Sequence, residues 1–339
     1  MSDNAYTNED LKTMQAWDLN RKIQVSQTRI MEWYMKNGNK CYVSFSGGKD
    51  STVLADMTAR ICGMSGCALV LWYSHTGLEY PEVTQHVKDF AEWLREKYKV
   101  DVNLVIDYPK DKTGKRITFR DVIMQYGYPM ISKEVSRDVS VARNNPNGKT
   151  AQKFIRGSDY HKKYGDVWLL EKWAYLIKAP FKISNQCCNI MKKIPAHKFD
   201  KESGLKPIIG TMACESNLRK KEWLRSGCNA FDGKNPSSKP ISFWTEQDIL
   251  KYIKQFNIPY PSVYGEILMD DKGKYYTTGC DRTGCVFCGY GCHIKGDNRF
   301  ERLQQTHPKL YDFCMKPIGD GGLGMKSVLD YIIENKNTQ

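Results

Sequence analysis

The chain has 339 residues, 41% of them hydrophobic and 12% aromatic, so it can bury a large core and is not a disordered segment. Lys and Arg outnumber Asp and Glu by 51 to 38, a net charge of +13 that suits either a solvated basic surface or attraction to a polyanion. No run is apolar enough to cross a membrane, and the polar stretch Met1–Asp10 lacks an export-signal pattern, so a cytoplasmic protein with no membrane partner is expected.

Leu11, Met14, Ile23, Ile30 and Trp33 form an apolar stripe that predicts a helix over about 11–36, with Gly38 beyond its end. Cys41–Phe45 is β-prone and leads into Ser46-Gly47-Gly48-Lys49-Asp50-Ser51, after which a helix is expected to about residue 60. Ala68–Tyr73 has the continuous apolar profile of a strand buried on both faces. A helix over 81–97, opened by Pro81, and an alternating strand over 100–106 follow. This spacing predicts a parallel sheet with right-handed crossovers. Residues 107–186 are less regular, with a loop at Asn144–Gly148. A strand over 206–210, a helix over 216–225, a break at Ser237–Pro240 and a helix capped by Thr245 come next, and the turn Asp270–Gly273 opens a cysteine-rich segment.

The expected fold class is α/β: an open, mostly parallel twisted sheet with helices on both faces, plus a Cys-rich C-terminal extension. The expected domains are an N-terminal helical segment (1–38), a nucleotide-binding α/β domain (39–265) carrying a basic and aromatic insert near 108–186, and the extension (266–339).

The Gly-rich string sits between a predicted strand and a predicted helix, where backbone N–H groups converge on phosphates in an open α/β sheet. Gly47 and Gly48 allow a sharp turn and close approach to a ligand. Ser44, Ser46, Ser51 and Thr52 supply hydroxyls, Lys49 a cation, and Asp50 a carboxylate that could orient Mg²⁺. The first Gly and the Gly-Lys-Ser/Thr spacing of the Walker pattern are absent.

The full string Ser44-Phe45-Ser46-Gly47-Gly48-Lys49-Asp50-Ser51-Thr52 resembles the PP-loop of the ATP pyrophosphatase superfamily (adenine nucleotide α-hydrolase-like). Four further segments and a short cysteine motif, in order, are similar to the phosphoadenosine phosphosulfate (PAPS) reductase family within it. They are His75-Thr76-Gly77-Leu78-Glu79-Tyr80-Pro81-Glu82, Cys187-Cys188-Asn189-Ile190-Met191-Lys192-Lys193-Ile194-Pro195, Gly210–Arg219, Pro240–Ile249 and Gly284-Cys285-Val286-Phe287-Cys288. The resemblance implies that ATP is cleaved between its α- and β-phosphates to adenylate an acceptor. It also implies nucleotide contacts from His75, Thr76, Gly77, Lys192, Glu215 and Arg219, with Lys49, Asp50 and Arg219 in catalytic roles. Three departures speak against reduction of a sulfate nucleotide. The Gly loop keeps its ATP-cleaving form, Met212 stands where the family has Arg, and Cys314 does not match the family's redox-cysteine segment. A shorter resemblance, around Cys280–Cys288, is to the PAPS-reductase-like enzyme of DNA phosphorothioation, and implies sulfur transfer to a nucleic acid or another adenylated acceptor, with a sulfur-donor protein as a partner.

Twelve cysteines without an export signal read as a metal or iron–sulfur site plus buried thiols. By resemblance, Cys187, Cys188, Cys285 and Cys288 hold a 4Fe–4S cluster. The alternative set, Cys280, Cys285, Cys288 and Cys292, suits a structural zinc knuckle, with His293 nearby. Between residues 137 and 182, Arg143, Lys149, Lys153, Arg156, Lys162 and Lys163 interleave with Tyr160, Tyr164, Trp168, Trp173 and Tyr175. That mixture suits single-stranded nucleic acid, and a helical insert with an apolar face fits it as well. The leading reading is an ATP-cleaving, sulfur-transferring enzyme. A thiol-dependent reductase of PAPS or adenylyl sulfate, and a zinc-knuckle nucleic-acid-binding subunit with a vestigial nucleotide site, are the alternatives.

Overall fold

The computed structural model describes residues 5–233 and 235–336; Met1–Asn4 of the polar N-terminal stretch lie outside the described residues. The chain forms two compact units. The first comprises residues 1–75, 79–108 and 196–284, and the second 76–78, 109–195 and 285–339. Among the described residues the strands are β1 (Cys41–Ser44), β2 (Leu69–Ser74), β3 (Val102–Asp107), β4 (Met130–Ile131), β5 (Lys206–Ile209), β6 (Asn229–Ala230), β7 (Ser237–Ser238), β8 (Ile267–Met269), β9 (Tyr275–Thr277) and β10 (Gly289–Tyr290).

The first unit is built on a six-stranded sheet of order β3-β2-β1-β5-β7-β6, parallel except for the β6–β7 pair. Val43 pairs with Leu71 on one side and with Ile208 on the other, so β1 is central. Its helices are α1 (Asn8–Ala16), α2 (Leu19–Lys36), α3 (Lys49–Ser65), α4 (Pro81–Tyr98) and later ones at Ile194–Ser203, Asn217–Ser226 and Glu246–Phe256. The single helix expected over 11–36 is broken at Trp17, which is extended, and Asp18 starts α2 by accepting a 3.0 Å hydrogen bond from the Arg21 amide.

Alternation along the strands sorts the two faces. Cys41, Val43 and Phe45, with Leu69, Leu71 and Tyr73, join the core formed with α2, α3, α4 and Glu246–Phe256. Tyr42 and Trp72 point the other way, and Phe199 of the Ile194–Ser203 helix packs on both rings at 4.9 and 5.5 Å. Helices therefore cover both faces, as the continuous apolar strands require.

In the second unit β4 pairs in parallel with β10, Met130 opposite Gly289. The unit's helices are Phe119–Tyr126, Lys133–Asn144, which packs on β4, Arg299–Thr306, Pro308–Met315 and Met325–Lys336, with short helical turns between 149 and 178. No helix among the described residues is long and apolar enough to cross a membrane.

Candidate nucleotide site and cysteine cluster

The Gly loop leaves the C-terminal end of β1 and runs directly into α3, with Gly48 as the N-cap. β2 and β5 flank β1 on opposite sides, so the loop lies at the point where strand order reverses, the usual ligand crevice of an open α/β sheet. Gly47 has φ +73°, and a Cβ there would come within 2.7 Å of Val87 and 2.9 Å of Val83, so the turn needs glycine twice over. The loop after β5 closes against it: a Cβ on Gly210 would lie 3.3 Å from the Asp50 carbonyl and the Ser51 backbone. Gly48 offers no side-chain cap, so the positive end of α3 is left to backbone amides and whatever they meet.

Ser46 is exposed, and its Oγ lies 3.0 Å from Ser51 Oγ, which also bonds the Gly48 carbonyl at 2.9 Å. Ser44 is half-buried at the end of β1. Lys49 is only 3% exposed. Its amide donates to Tyr264 Oη at 3.2 Å, and its ammonium reaches the Asp281 carbonyl at 2.9 Å and Glu246 Oε1 at 3.1 Å. Burial works against the Lys49 charge, but Asp50, Tyr264 and Glu246 together hold its pKa above the ordinary value. Burial raises the Asp50 carboxyl, with Lys49 opposing, and Asp50 Oδ1 is buried without a hydrogen-bond partner.

Beside them, Glu215 accepts the Met212 amide at 2.8 Å and pairs with both Arg219 and Arg282, the latter at 3.4 Å. Paired opposite charges therefore gather at this helix N-terminus: Lys49 with Glu246 and Asp50, and Glu215 with Arg219 and Arg282. Tyr264 and Thr283 cover part of it, with their hydroxyls 3.3 Å apart. Thr52, expected to touch nucleotide, is instead fully buried, and its hydroxyl lies 3.0 Å from Nε2 of the buried His86.

Tyr264, Glu246, Asp281, Arg282 and Thr283, which join this site, are not among the residues the sequence points to. Glu246 lay inside a matched segment at a variable position, and Tyr264 carries no local signal at all. His75 keeps to the first unit, with Nδ1 3.6 Å from Glu79 Oε2 and its amide on the Asp107 carbonyl at 2.7 Å. Thr76 and Gly77 belong to the second unit, where Thr76 Oγ1 accepts the Leu78 amide at 3.2 Å and Gly77 takes φ +76°.

The second unit also holds Cys187, Cys188, Cys285 and Cys288. Burial pushes the Cys187 thiol well up, and the charges of Cys285, Cys188 and Cys288 push it further, with Lys192 opposing. Burial, followed by Cys285, raises the Cys288 thiol to about 12, with Cys188 adding and Arg299 opposing. Cys187 and Cys288 thus both feel Cys188 and Cys285, and Lys192 acts on Cys187. The alternative zinc set divides differently. Cys280 falls in the first unit, buried 3.9 Å from Tyr80 Oη, while Cys292 feels chiefly burial, the Ile131 backbone and Arg299.

Among the described residues no three His, Cys, Asp or Glu side chains converge closely enough to hold a single metal ion. A mononuclear zinc needs all its donors at about 2.0–2.3 Å from one point. An iron–sulfur cluster instead takes thiolates on separate irons, so its donors need not meet at one point. Thiols pushed up by burial ionise only when positive charge is supplied, as iron would supply it.

Comparison with known proteins agrees with part of this picture. Residues 131–289 match the family model described as the phosphoadenosine phosphosulfate reductase domain. No curated protein sequence matches the chain. Among solved structures the chain is similar to the U34-tRNA thiolase NcsA from Methanococcus maripaludis with its 4Fe-4S cluster, at 14% identity and a TM-score of 0.35, over 92% of this chain and 80% of that one. The matched segment contains four of the motifs and all four clustered cysteines, and it is over residues 131–289 that this chain is similar to the phosphoadenosine phosphosulfate reductase domain.

Proposed function

We propose that the protein binds MgATP at the Gly loop, cleaves it between the α- and β-phosphates, and adenylates an acceptor that then receives sulfur. The observation that carries this reading is the intact Gly loop at the switch point between β1 and β5, with buried Lys49 beside it. An acceptor oxygen attacks the α-phosphorus as the bond to the β-phosphate's bridging oxygen breaks, and pyrophosphate leaves. A nucleophile of the sulfide class, delivered by a sulfur-donor protein, then displaces AMP, which carries away the acceptor's oxygen. The exchange is redox-neutral.

In this reading the amides of the α3 N-terminus hold the phosphates, Lys49 meets the charge developing on the leaving pyrophosphate, and Asp50 faces the magnesium of the substrate. Ser44, Ser46 and Ser51 line the loop. Arg219 is held by Glu215 and moves its guanidinium to the α-phosphate when the nucleotide arrives. A 4Fe–4S cluster on Cys187, Cys188, Cys285 and Cys288 would supply a soft Lewis-acidic site for sulfur. The test is pyrophosphate and AMP release from ATP, with and without candidate acceptors; no ATP binding and no turnover would eliminate the reading.

The family match favours one further reading, thiol-dependent reduction of PAPS or adenylyl sulfate to sulfite. Against it, the one late cysteine outside the clusters, Cys314, is fully buried and its thiol is pushed up to about 12 by burial. Sulfite formation under anaerobic conditions is the direct assay.

A further inference from the structure

Residues 109–195 contain 18 Lys and Arg against 7 Asp and Glu, whereas the rest of the chain contains 33 against 31. Nearly all the protein's positive excess therefore lies in one segment of the second unit. Charge concentrated in this way selects a polyanion rather than merely keeping the protein soluble.

Within that segment, residues 149–172 add exposed rings. Residues 162–168 are exposed without interruption, with Tyr164 47% and Trp168 49% accessible. Lys149, Lys163 and Lys172 are exposed too, and Lys163 Nζ stands 5.2 Å over the Tyr164 ring. The other aromatics of the stretch serve differently: Trp173 is buried, and Tyr160 lies 4.7 Å from Tyr164 as its support. The scaffold is braced by ion pairs. Arg156 bonds Glu171 at 2.8 Å and reaches Asp166 at 3.4 Å, while His161 Nε2 lies 2.9 Å from Asp166.

We propose that this surface binds single-stranded nucleic acid, with bases stacked on Tyr164 and Trp168 and phosphates neutralised by Lys149, Lys163 and Lys172. Exposed rings call for a single strand, because in a duplex the base faces are already stacked on one another. This deepens the reading above by naming the class of acceptor. Binding is measured without ATP, so a failure here is distinguishable from a failure of nucleotide cleavage.

The experiment titrates the full-length protein with a fluorescently labelled 20-nucleotide single-stranded RNA, the DNA of the same sequence, and the matching duplex, over a salt series. Trp168→Ala and Tyr164→Ala are each expected to weaken single-strand binding about tenfold, the worth of one stacked base. Trp168→Phe and Tyr164→Phe, which keep a ring, retain it. The triple variant Lys149→Ala/Lys163→Ala/Lys172→Ala lowers the slope of log affinity against log salt by about 2, at roughly 0.7 per phosphate contact. Equal affinity of wild type and the alanine variants, tighter binding to the duplex, or affinity indifferent to salt would each overturn the proposal.

Discussion

The Lys49 ammonium lies 3.1 Å from Glu246 Oε1, so the one cation of the Gly loop is already paired inside the protein. A phosphate arriving at the loop competes with a carboxylate for that charge. Lys49→Ala removes the cation altogether and should lower pyrophosphate release about 10²–10³-fold, the usual cost of losing one preorganised charge partner. Glu246→Gln weakens only the competitor and should tighten ATP binding several-fold. Steady-state pyrophosphate release and ATP titration read the two effects, and a Lys49→Ala enzyme within twofold of wild type would remove Lys49 from the mechanism.

Tyr264 makes a second prediction. Its hydroxyl accepts the Lys49 amide at 3.2 Å, so on the proposed reading it competes with a phosphate oxygen for that donor. Tyr264→Phe frees that amide. A neutral hydrogen bond contributes about 0.5–1.5 kcal/mol net, so ATP should bind about 2–10 times more tightly. Weaker binding in the variant would make Tyr264 a contact to the nucleotide rather than a substitute for it.

The sequence made the loop and the sheet readable because both are encoded locally. Cys41–Phe45, the two glycines and the helix after them occupy one continuous stretch, and strand periodicity carries the rest of the parallel sheet. The break at Trp17 was not readable, since the apolar stripe runs straight through it and only the Asp18 cap interrupts it. The partners of Lys49 were equally invisible: Tyr264, Asp281 and Glu246 reach it only through tertiary folding. Thr52 shows the converse case. Its place in the motif suggested a ligand contact, but successive side chains of a helix step about 100° around its axis, and Thr52 turns inward to His86.

The cysteines give a third prediction. Cys187, Cys188, Cys285 and Cys288 share one electrostatic neighbourhood, whereas Cys280 and Cys292 sit among other partners. Replacing any of the first four by Ser should lower bound iron and acid-labile sulfide in anaerobically purified protein, and bleach visible absorbance. Cys280→Ser and Cys292→Ser should leave both unchanged. Zinc without iron in the wild-type protein would overturn the assignment.

Asp56 predicts a purely structural effect in the same helix as the Gly loop. Its buried carboxylate accepts Tyr252 Oη at 2.6 Å and Tyr98 Oη at 2.7 Å, with Arg60 at 3.7 Å and Lys97 at 3.9 Å. Removing the acceptor strands these donors and cations, so Asp56→Ala should cost about 3–5 kcal/mol of stability. Tyr252→Phe removes one neutral bond and should cost about 1 kcal/mol. Thermal melting distinguishes the two, and similar small losses would show that the network is hydrated rather than buried.

His86 supplies a pH dependence with a definite sign. Burial lowers its pKa from 6.5 to about 4, so the folded protein keeps the ring neutral beside Thr52. Above pH 6.5 the imidazole is neutral in both states and its contribution is complete. As pH falls below 6.5 the unfolded chain gains a proton that the folded chain refuses, and stability is lost until the folded ring titrates near 4. By pH 5 the loss should be about 2 kcal/mol, before most carboxylates begin to titrate. His86→Gln keeps a partner for the Thr52 hydroxyl but cannot titrate, so its denaturation midpoint should fall less than that of wild type between pH 7.5 and 5. Parallel losses in the two proteins would mean that the folded ring takes up its proton as readily as the unfolded one, and that the first turns of α3 do not depend on a neutral imidazole.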